Sequence, residues 1–186
     1  MRQALAAGVK FFQYRNKAGA RKGIYETALP LARISRNAHA RFIVNDHADI
    51  AAAVDADGVH LGQDDLPIEF ARRLLGNNKL IGISTHDIVQ AVAAEAAGAD
   101  YIGFGPLFRT TTKDAGQTQG IHALSVVRQS VTLPIIAIGG ISPSNVQDVI
   151  RSGADGVAAI SSILSDENIA AAAESMLRSI SDVRRG

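Results

Sequence analysis

Aspartates in the first half of the chain have the residue type and the placement of metal ligands. Asp46 follows the apolar run 42–44 and Asn45, and Asp64 and Asp65 follow the next such run, 58–61, after Gly62 and Gln63. If these runs are adjacent parallel strands, Asp46 and one of the later aspartates lie near each other on one rim and offer the hard oxygen ligands that Mg²⁺ takes while it bridges phosphate oxygens. Each aspartate alone is better explained as a helix cap, and an acid–base pair is a further alternative. The cations and loops described next favour a metal and pyrophosphate site.

Polar and cationic residues follow the first apolar run. In the segment 13–17, alternation along an extended chain places Gln13, Arg15 and Lys17 on one side and Tyr14 on the other. Two cations and an amide on one face of a strand indicate an anion that meets them. The alternative is that Arg15 and Lys17 lie beyond the strand, in solvent.

Two segments in the second half have the features of phosphate-binding loops. Gly139 and Gly140 follow one apolar run, and Ser161 and Ser162 follow the last one, directly after Ile160. Glycines leave backbone N–H groups unobstructed, and a helix that begins after such a loop directs its positive end at an anion. The alternative for the glycine pair is a tight turn from strand to helix.

A long polar segment runs from Gly105 to Gly120 and contains three consecutive threonines, Thr110, Thr111 and Thr112, followed by Lys113. Connections of this length in a compact fold are usually binding loops or lids, and hydroxyls with a lysine suit phosphate oxygens. A solvated loop is the alternative. Ser84 is a weaker candidate, because the segment 84–87 also matches the start of a helix capped by its aspartate.

The remaining residue types that could do chemistry argue against other reactions. No pair of histidines has metal-ligand spacing on one helix, and no serine lies in a nucleophile elbow. A zinc centre and covalent catalysis are therefore disfavoured. We interpret all five histidines as surface or core residues: His39, His47, His60, His86 and His122.

The elements that must position these residues alternate along the chain. Short runs rich in Val, Ile and Phe predict strands, and Ala-rich and Leu-rich stretches between them, such as 25–35, 88–97 and 146–151, predict helices. This alternation predicts a parallel sheet in an α/β fold. The predicted strands are Val9–Tyr14, Phe42–Val44, Gly58–Leu61, Leu80–Ile83, Tyr101–Phe104, Ile135–Ile138 and Gly156–Ile160.

A closed TIM-type (β/α)8 barrel fits these strands better than an open doubly wound sheet, because they lack a polar face. Seven strands are readable, one fewer than the barrel needs, and residues 1–7 are predicted to be the end of a helix. We expect either that the first strand lies upstream of residue 1 or that the barrel has a gap flanked by two strand edges. A junction of glycine, alanine and aspartate recurs before two strands, at 98–100 and 153–155. We interpret this repeat as structural, because glycine readily adopts the left-handed conformation that ends a helix.

Length and composition limit the class of protein. The 186 residues suit one domain that spans 1–186, and a net charge of +1 with scattered signs argues against a nucleic-acid partner. No apolar run is long enough to span a membrane, and no signal sequence is recognisable. With no cysteine, the chain is expected to be a cytoplasmic protein that acts on small molecules.

The motifs as an ordered set resemble the thiamine-phosphate synthase family over nearly the whole chain. They are QYRNK, ND, GVHLGQDD, GISTH, ADYIGFGPLFRTTTK, IAIGGI and GADGVAAISSI. The resemblance implies a Mg²⁺-dependent transferase of thiamine biosynthesis. It would join 4-amino-2-methyl-5-hydroxymethylpyrimidine diphosphate to 4-methyl-5-(2-phosphoethyl)thiazole and release thiamine phosphate and pyrophosphate.

The resemblance also implies a role for each matched residue. Asp46 and Asp65 would bind Mg²⁺, and Asp64 has no implied role. Arg15, Lys17, Ser84 and Lys113 would act in catalysis. The pyrimidine diphosphate would be held by Gln13, Arg15, Lys17, Asn45, Ser84 and Lys113, and the thiazole phosphate by Thr110, Thr112, Gly140, Ile160 and Ser161.

Two features depart from the family pattern: the first strand has no counterpart, and Arg109 stands where proline is more usual. Two other interpretations compete with the synthase. A thiazole tautomerase of the same superfamily would carry histidine at Pro106 and lack the full diphosphate and metal set. A non-catalytic phosphate-binding barrel, inactive through the missing strand, would bind ligand without turnover.

Overall fold

The computed structural model describes residues 1–109 and 117–185 and shows an α/β fold with one seven-stranded parallel sheet. The strands lie in the order of the sequence, and each pairs in parallel with the next. They are β1 (Phe11–Tyr14), β2 (Arg41–Asn45), β3 (Gly58–Leu61), β4 (Leu80–Thr85), β5 (Tyr101–Phe104), β6 (Ile135–Ile138) and β7 (Gly156–Ala158). The predicted parallel sheet is confirmed, although β1 begins at Phe11 instead of Val9 and β7 ends at Ala158 instead of Ile160.

Helices precede β1, connect the successive strands and follow β7. They are α1 (Arg2–Ala6), α2 (Arg21–Asn37), α3 (Ala48–Ala53), α4 (Ile68–Leu75), α5 (Ile88–Ala96), α6 (Gly120–Ser130), α7 (Val146–Arg151), α8 (Ser161–Leu164) and α9 (Ile169–Arg185). The sequence of strand, helix and strand is the pattern that gives parallel pairing.

The hydrophobic core lies between the sheet and the helices. Residues of the five inner strands, such as Phe42 and Val44 in β2, are buried on the outer face of the sheet. The helices cover this face with apolar residues at helical spacing, as Ile24, Ala28 and Ala32 do in α2.

The recurring junction of glycine, alanine and aspartate has a structural role, as its pattern predicts. Asp100, just before β5, accepts hydrogen bonds from the Ile81 N–H at 2.7 Å and from Arg72 at 2.6 Å. Gly98 ends α5 in the left-handed region with φ 85°. The same combination of aspartate, strand N–H and arginine recurs at Asp57 with Phe42 and Arg41 and at Asp155 with Ile135 and Arg128.

The sheet curls so strongly that β1 and β5 approach each other. A flat sheet would separate these strands by about 19 Å, at about 4.8 Å per neighbour. The rings of Phe11 and Tyr101 instead meet edge to face with their centroids 5.6 Å apart. Within residues 1–109 and 117–185, β1 and β7 are the edge strands and do not pair with each other. The sheet is therefore a TIM-like open barrel.

The inner face of the curled sheet differs from the expectation that the strands lack a polar face. Asn45, His60 and Tyr101 are buried there, with Ser84 half-buried beside His60. The apolar runs conceal these residues, because period-two alternation is weak in strands that are buried on both sides. In the part of the chain that the structure describes, no helix is both long and apolar enough to cross a membrane.

Candidate functional site

The carboxyl ends of the parallel strands carry most of the polar residues that the sequence singles out. Asn45 ends β2, Ser84 lies in β4, and Asp46 and Asp65 come after β2 and β3. The loops of a parallel α/β sheet converge at this end, which is where such folds bind ligands.

Asp46 and Asp65 form a carboxylate pair at this rim. Their side chains lie within hydrogen-bonding range of each other. The Asn45 amide donates to Asp46, and the Gly62 N–H donates to Asp65 Oδ2 at 2.6 Å. Burial raises the pKa of Asp46, and the neighbouring Asp65 raises it further. Two carboxylates held together by neutral donors are a place where a cation is favourable.

The backbone around Asp46 directs its side chain into this pair. Asp46 has φ 65°, and its N–H donates to the carbonyl of His60 at 2.8 Å, which ties the end of β2 to β3. The helix-capping alternative is wrong for both aspartates. The N-cap of α3 is His47 and that of α4 is Pro67, and neither helix has a side-chain cap.

Arg15 and Lys17 lie beyond the end of β1, because that strand ends at Tyr14. The alternation expected for residues 13–17 therefore stops before them. Both side chains are exposed, as the solvent alternative predicts, but their positive charges lower the pKa of Asp46, so they lie within the electrostatic field of the carboxylate pair. The turn is fixed by Asn16, whose side-chain oxygen accepts from the N–H groups of Ala18 and Gly19 at 3.2 and 3.0 Å.

Below the rim, polar side chains from four strands lie next to one another across the inner face. His60 Nε2 lies 2.9 Å from Ser84 Oγ, and His60 Nδ1 lies 3.1 Å from the Tyr101 hydroxyl. The Gln13 side chain lies beside that hydroxyl and acts to lower its pKa. Burial raises the pKa of Tyr101 far above its ordinary value, with a smaller opposing effect from Gln13.

His60 and Tyr101 are the site residues that sequence reasoning missed. His60 is a core histidine, as interpreted, because only 7% of its surface is exposed. Its ring, however, contacts Ser84 directly and is connected to Gln13 through Tyr101. The available signal was its position in β3, where it lies two residues after Gly58 and therefore on the same face of the strand.

The loops after β5, β6 and β7 meet on the other side of the opening. Leu107 N–H donates to the carbonyl of Ile138 at 2.9 Å, and Ser162 Oγ donates to the carbonyl of Ile141 at 2.8 Å. Gly140 has φ 63°, and a Cβ there would lie 2.5 Å from the carbonyl oxygen of Arg109. Glycine is therefore required at this position for close backbone packing as well as for its dihedral angle.

Ile160 and Ser161 lie where β7 leads into α8, with Ile160 as its N-cap residue. Both side chains are exposed. Asp87, and not Ser84, caps α5, by accepting from the Gln90 N–H at 2.8 Å. Asp64 is exposed beside Asp65. Three predicted site residues lie outside the described residues: Thr110, Thr112 and Lys113.

The oxygen ligands at the rim suit Mg²⁺, which needs few protein ligands, better than they suit a metal ion that is bound entirely by protein side chains. In residues 1–109 and 117–185, no three His, Cys, Asp or Glu side chains form a group that could hold a metal. Mg²⁺ characteristically takes one or two carboxylates and completes its octahedron with water and substrate phosphate oxygens. The pair of Asp46 and Asp65 has this composition.

Comparison with known proteins identifies relatives along almost the whole chain. A family model described as thiamine monophosphate synthase matches residues 1–163. A thiamine-phosphate synthase from Chloroflexus aurantiacus is 48% identical over 174 residues, which are 93% of this chain and 80% of the relative. Another from Methanosarcina barkeri is 46% identical over 170 residues, which are 91% of this chain and 77% of the relative.

A solved structure agrees with the sequence relatives. Thiamine phosphate pyrophosphorylase from Pyrococcus furiosus superposes with a TM-score of 0.91 at 38% identity, over 98% of this chain and 88% of that chain. The family match, the relatives and the superposition cover the rim aspartates, the buried polar residues and the glycine loop together. The chain belongs to the thiamine monophosphate synthase family.

Proposed function

We propose that this chain is a Mg²⁺-dependent thiamine-phosphate synthase. It joins 4-amino-2-methyl-5-hydroxymethylpyrimidine diphosphate to 4-methyl-5-(2-phosphoethyl)thiazole and releases thiamine phosphate and pyrophosphate. The observation that carries this proposal is the carboxylate pair of Asp46 and Asp65 at the strand ends, with Arg15 and Lys17 in its electrostatic field. The family's relatives bear the same name as this activity.

The residues around the pair suit a diphosphate leaving group. Asp46 and Asp65 would hold Mg²⁺, which when bound neutralises charge on the diphosphate oxygens. Arg15 and Lys17 are exposed, and their guanidinium and ammonium groups can donate hydrogen bonds to the same oxygens. Lys113 belongs to this set by resemblance. Stabilising charge that accumulates on the leaving group is the main catalytic task here.

The reaction needs no general base. The bond between the pyrimidine methylene carbon and the diphosphate oxygen breaks, and that oxygen keeps the electron pair. The aminopyrimidine stabilises the positive charge on the carbon, the thiazole nitrogen supplies the electron pair of the new C–N bond, and no proton is lost. The protein therefore contributes the positions of the two substrates and electrostatic stabilisation of the leaving group.

The two substrates occupy different sides of the opening. Gln13, Asn45 and Ser84 hold the pyrimidine diphosphate on the β1–β4 side. Gly140, Ile160 and Ser161 hold the thiazole phosphate on the β6–β7 side, with Thr110 and Thr112 assigned there by resemblance. The convergence of the loops after β5, β6 and β7 supports this division.

The proposal also covers the barrel topology, the domain organisation and the cellular compartment. The seven strands correspond to strands two to eight of a (β/α)8 barrel, with the gap between β7 and β1 at the place of the first. Residues 1–186 form one barrel domain, and the enzyme is cytoplasmic. The TM-score of 0.91 with a pyrophosphorylase of the family supports the barrel. No observation favours the tautomerase, because Pro106 stands where that enzyme has histidine, and none favours a non-catalytic barrel.

The test is pyrophosphate release with both substrates and Mg²⁺, with each substrate and the metal omitted in turn. We expect release only in the complete mixture, with an equal amount of thiamine phosphate. Asp65→Asn should lower turnover by about 100-fold or more, since it removes a metal ligand's charge. Asp64→Asn, which changes the neighbouring exposed carboxylate, is the matched control and should keep turnover. Full turnover in the presence of excess chelator would contradict the proposal that the reaction depends on Mg²⁺.

A further inference from the structure

Four polar side chains from four strands form a continuous row across the inner face of the sheet, with hydrogen bonds between Tyr101 and His60 and between His60 and Ser84. It runs from Gln13 in β1 to Tyr101 in β5, then to His60 in β3 and Ser84 in β4, and we name it the inner relay. Its two ends are residues of the proposed pyrimidine diphosphate site. Its two middle members are buried, with 6% of Tyr101 and 7% of His60 exposed.

Two glycines in β4 and β5 leave the space that the rings of the inner relay occupy. A Cβ on Gly82 would lie 2.0 Å from Cζ of the Tyr101 ring, and a Cβ on Gly103 would lie 3.0 Å from Cε1 of His60. Any larger residue at Gly82 would displace the Tyr101 ring. The Phe11 ring packs against the edge of Tyr101 and holds it from the β1 side.

We propose that the inner relay has one direction, in which Tyr101 fixes the His60 tautomer so that Ser84 donates its hydrogen outward to substrate. The Tyr101 hydroxyl donates to His60 Nδ1, His60 Nε2–H donates to Ser84 Oγ, and the Ser84 hydroxyl hydrogen is left for a diphosphate oxygen. At the other end, the Gln13 amide donates to the Tyr101 oxygen, and its carbonyl oxygen is left to accept from the aminopyrimidine. His60 and Tyr101 are positioning residues.

The chemistry of the groups supports this direction. Diphosphate oxygens only accept, so a serine that contacts them must donate, and its own oxygen then accepts from His60. A neutral imidazole that donates from Nε2 must accept at Nδ1, and the Tyr101 hydroxyl is there at 3.1 Å. Burial keeps that hydroxyl protonated, and the effect of Gln13 on the pKa of Tyr101 is that of a donor to its oxygen. In the reverse direction, the Ser84 hydroxyl would donate its hydrogen bond to His60 Nε2 and could not donate it to the diphosphate.

The inference rests on the proposed function for the identity of the substrate, but the tautomer can be measured without it. The experiment records the ring nitrogen-15 chemical shifts of histidine-labelled, unliganded protein. The His60 signal is assigned as the one that His60→Gln removes. Tyr101→Phe, which keeps the ring volume, removes the donor to Nδ1. Tyr25→Phe, at an exposed position on α2, is the matched control.

We expect His60 of the unmodified protein to carry its proton on Nε2 and none on Nδ1. In Tyr101→Phe, we expect a larger share of His60 to carry the proton on Nδ1. The kcat/KM for the pyrimidine diphosphate should then fall about 10-fold to 100-fold, whereas Tyr25→Phe should change neither reading. A proton on Nδ1 in the unmodified protein, or a tautomer that Tyr101→Phe leaves unchanged, would overturn the direction. If Tyr101→Phe does not fold, the tautomer of the unmodified protein decides.

The two proposals fail in different ways. If the tautomer behaves as expected but the unmodified protein releases no pyrophosphate, the inner relay stands and the synthase activity does not. If turnover is normal and Tyr101→Phe matches Tyr25→Phe in kcat/KM, the synthase stands and the inner relay has no role in positioning.

Discussion

At the scale of single residues, Asp46 shows a conflict between stability and binding. Its carboxylate is partly buried next to Asp65, and both effects raise its pKa above the ordinary value. Nearby Lys17 and Arg15 offset only part of this. A protein that keeps such a pair gives up stability in its free state, which is typical of residues retained to bind a cation.

Replacing Asp46 by asparagine should stabilise the metal-free protein at neutral pH by about 1 kcal/mol, because it removes the repulsion with Asp65. An acid whose folded pKa is raised costs no stability below its unfolded pKa, near 3.8, and costs progressively more as the pH rises through the folded value. The gain should therefore appear as the pH increases above about 4. The measurement is urea unfolding of both proteins from pH 4 to pH 8.

The choice of asparagine follows from the backbone. Asp46 has φ 65°, which asparagine tolerates and alanine does not, so an alanine variant would combine the charge effect with strain of about 1 kcal/mol. Asp49→Asn, in an exposed ion pair with Arg21, controls for loss of one negative charge. An Asp46→Asn protein that is less stable than the parent at pH 8 would contradict the interpretation.

At the scale of elements, the junctions before alternate strands join each strand to its neighbour at the amino-terminal end of the sheet. Asp57, Asp100 and Asp155 each bind a backbone N–H of the preceding strand in the sheet and an arginine. The equivalent position before β1 is Lys10, whose ammonium donates to the carbonyl of Ala38 at 3.0 Å. These contacts are at the end of the sheet opposite the rim, so they support the site without touching it.

Asp100→Ala should lower the free energy of unfolding by about 2 kcal/mol, since it leaves the Ile81 N–H without an acceptor and removes the carboxylate partner of Arg72, which keeps only backbone carbonyls as acceptors. The Arg72 side chain is 22% exposed, so water replaces the lost contact incompletely. Asp148→Ala, which breaks an exposed pair with Arg151 on α7, should cost about 0.5 kcal/mol or less. Chemical denaturation of the two variants provides the comparison, and equal losses would show that the junction has no special role.

At the scale of the whole molecule, the open sheet leaves two edges. In residues 1–109 and 117–185, β1 pairs only with β2, and β7 pairs only with β6, whereas each inner strand has two neighbours. Phe11 on β1 is 39% exposed, and no residue of the three-residue β7 is buried. Strands with fewer buried contacts and one free side open more easily.

The hydrogen-bonded amides of β1 and β7 should therefore exchange with solvent at least about 10-fold faster than those of β3 and β4, whose strands lie inside the sheet. Native-state hydrogen exchange measures both sets in one sample, so β3 and β4 serve as the internal reference. Equal protection of edge and inner strands would mean that the gap between β7 and β1 is closed in solution.

The sequence by itself determined the strands, the parallel sheet and the family, because apolar runs, glycine junctions and ordered motifs are local features. It also predicted that Asp46 and one of the aspartates after β3 are neighbours on one rim, and the family resemblance implied Asp65. It did not determine that β1 ends before Arg15, or that neither aspartate caps a helix, because backbone dihedral angles at loop residues depend on their packing. The inner relay was decided by tertiary structure alone, since Gln13, His60, Ser84 and Tyr101 come from separate strands and meet only when the sheet curls.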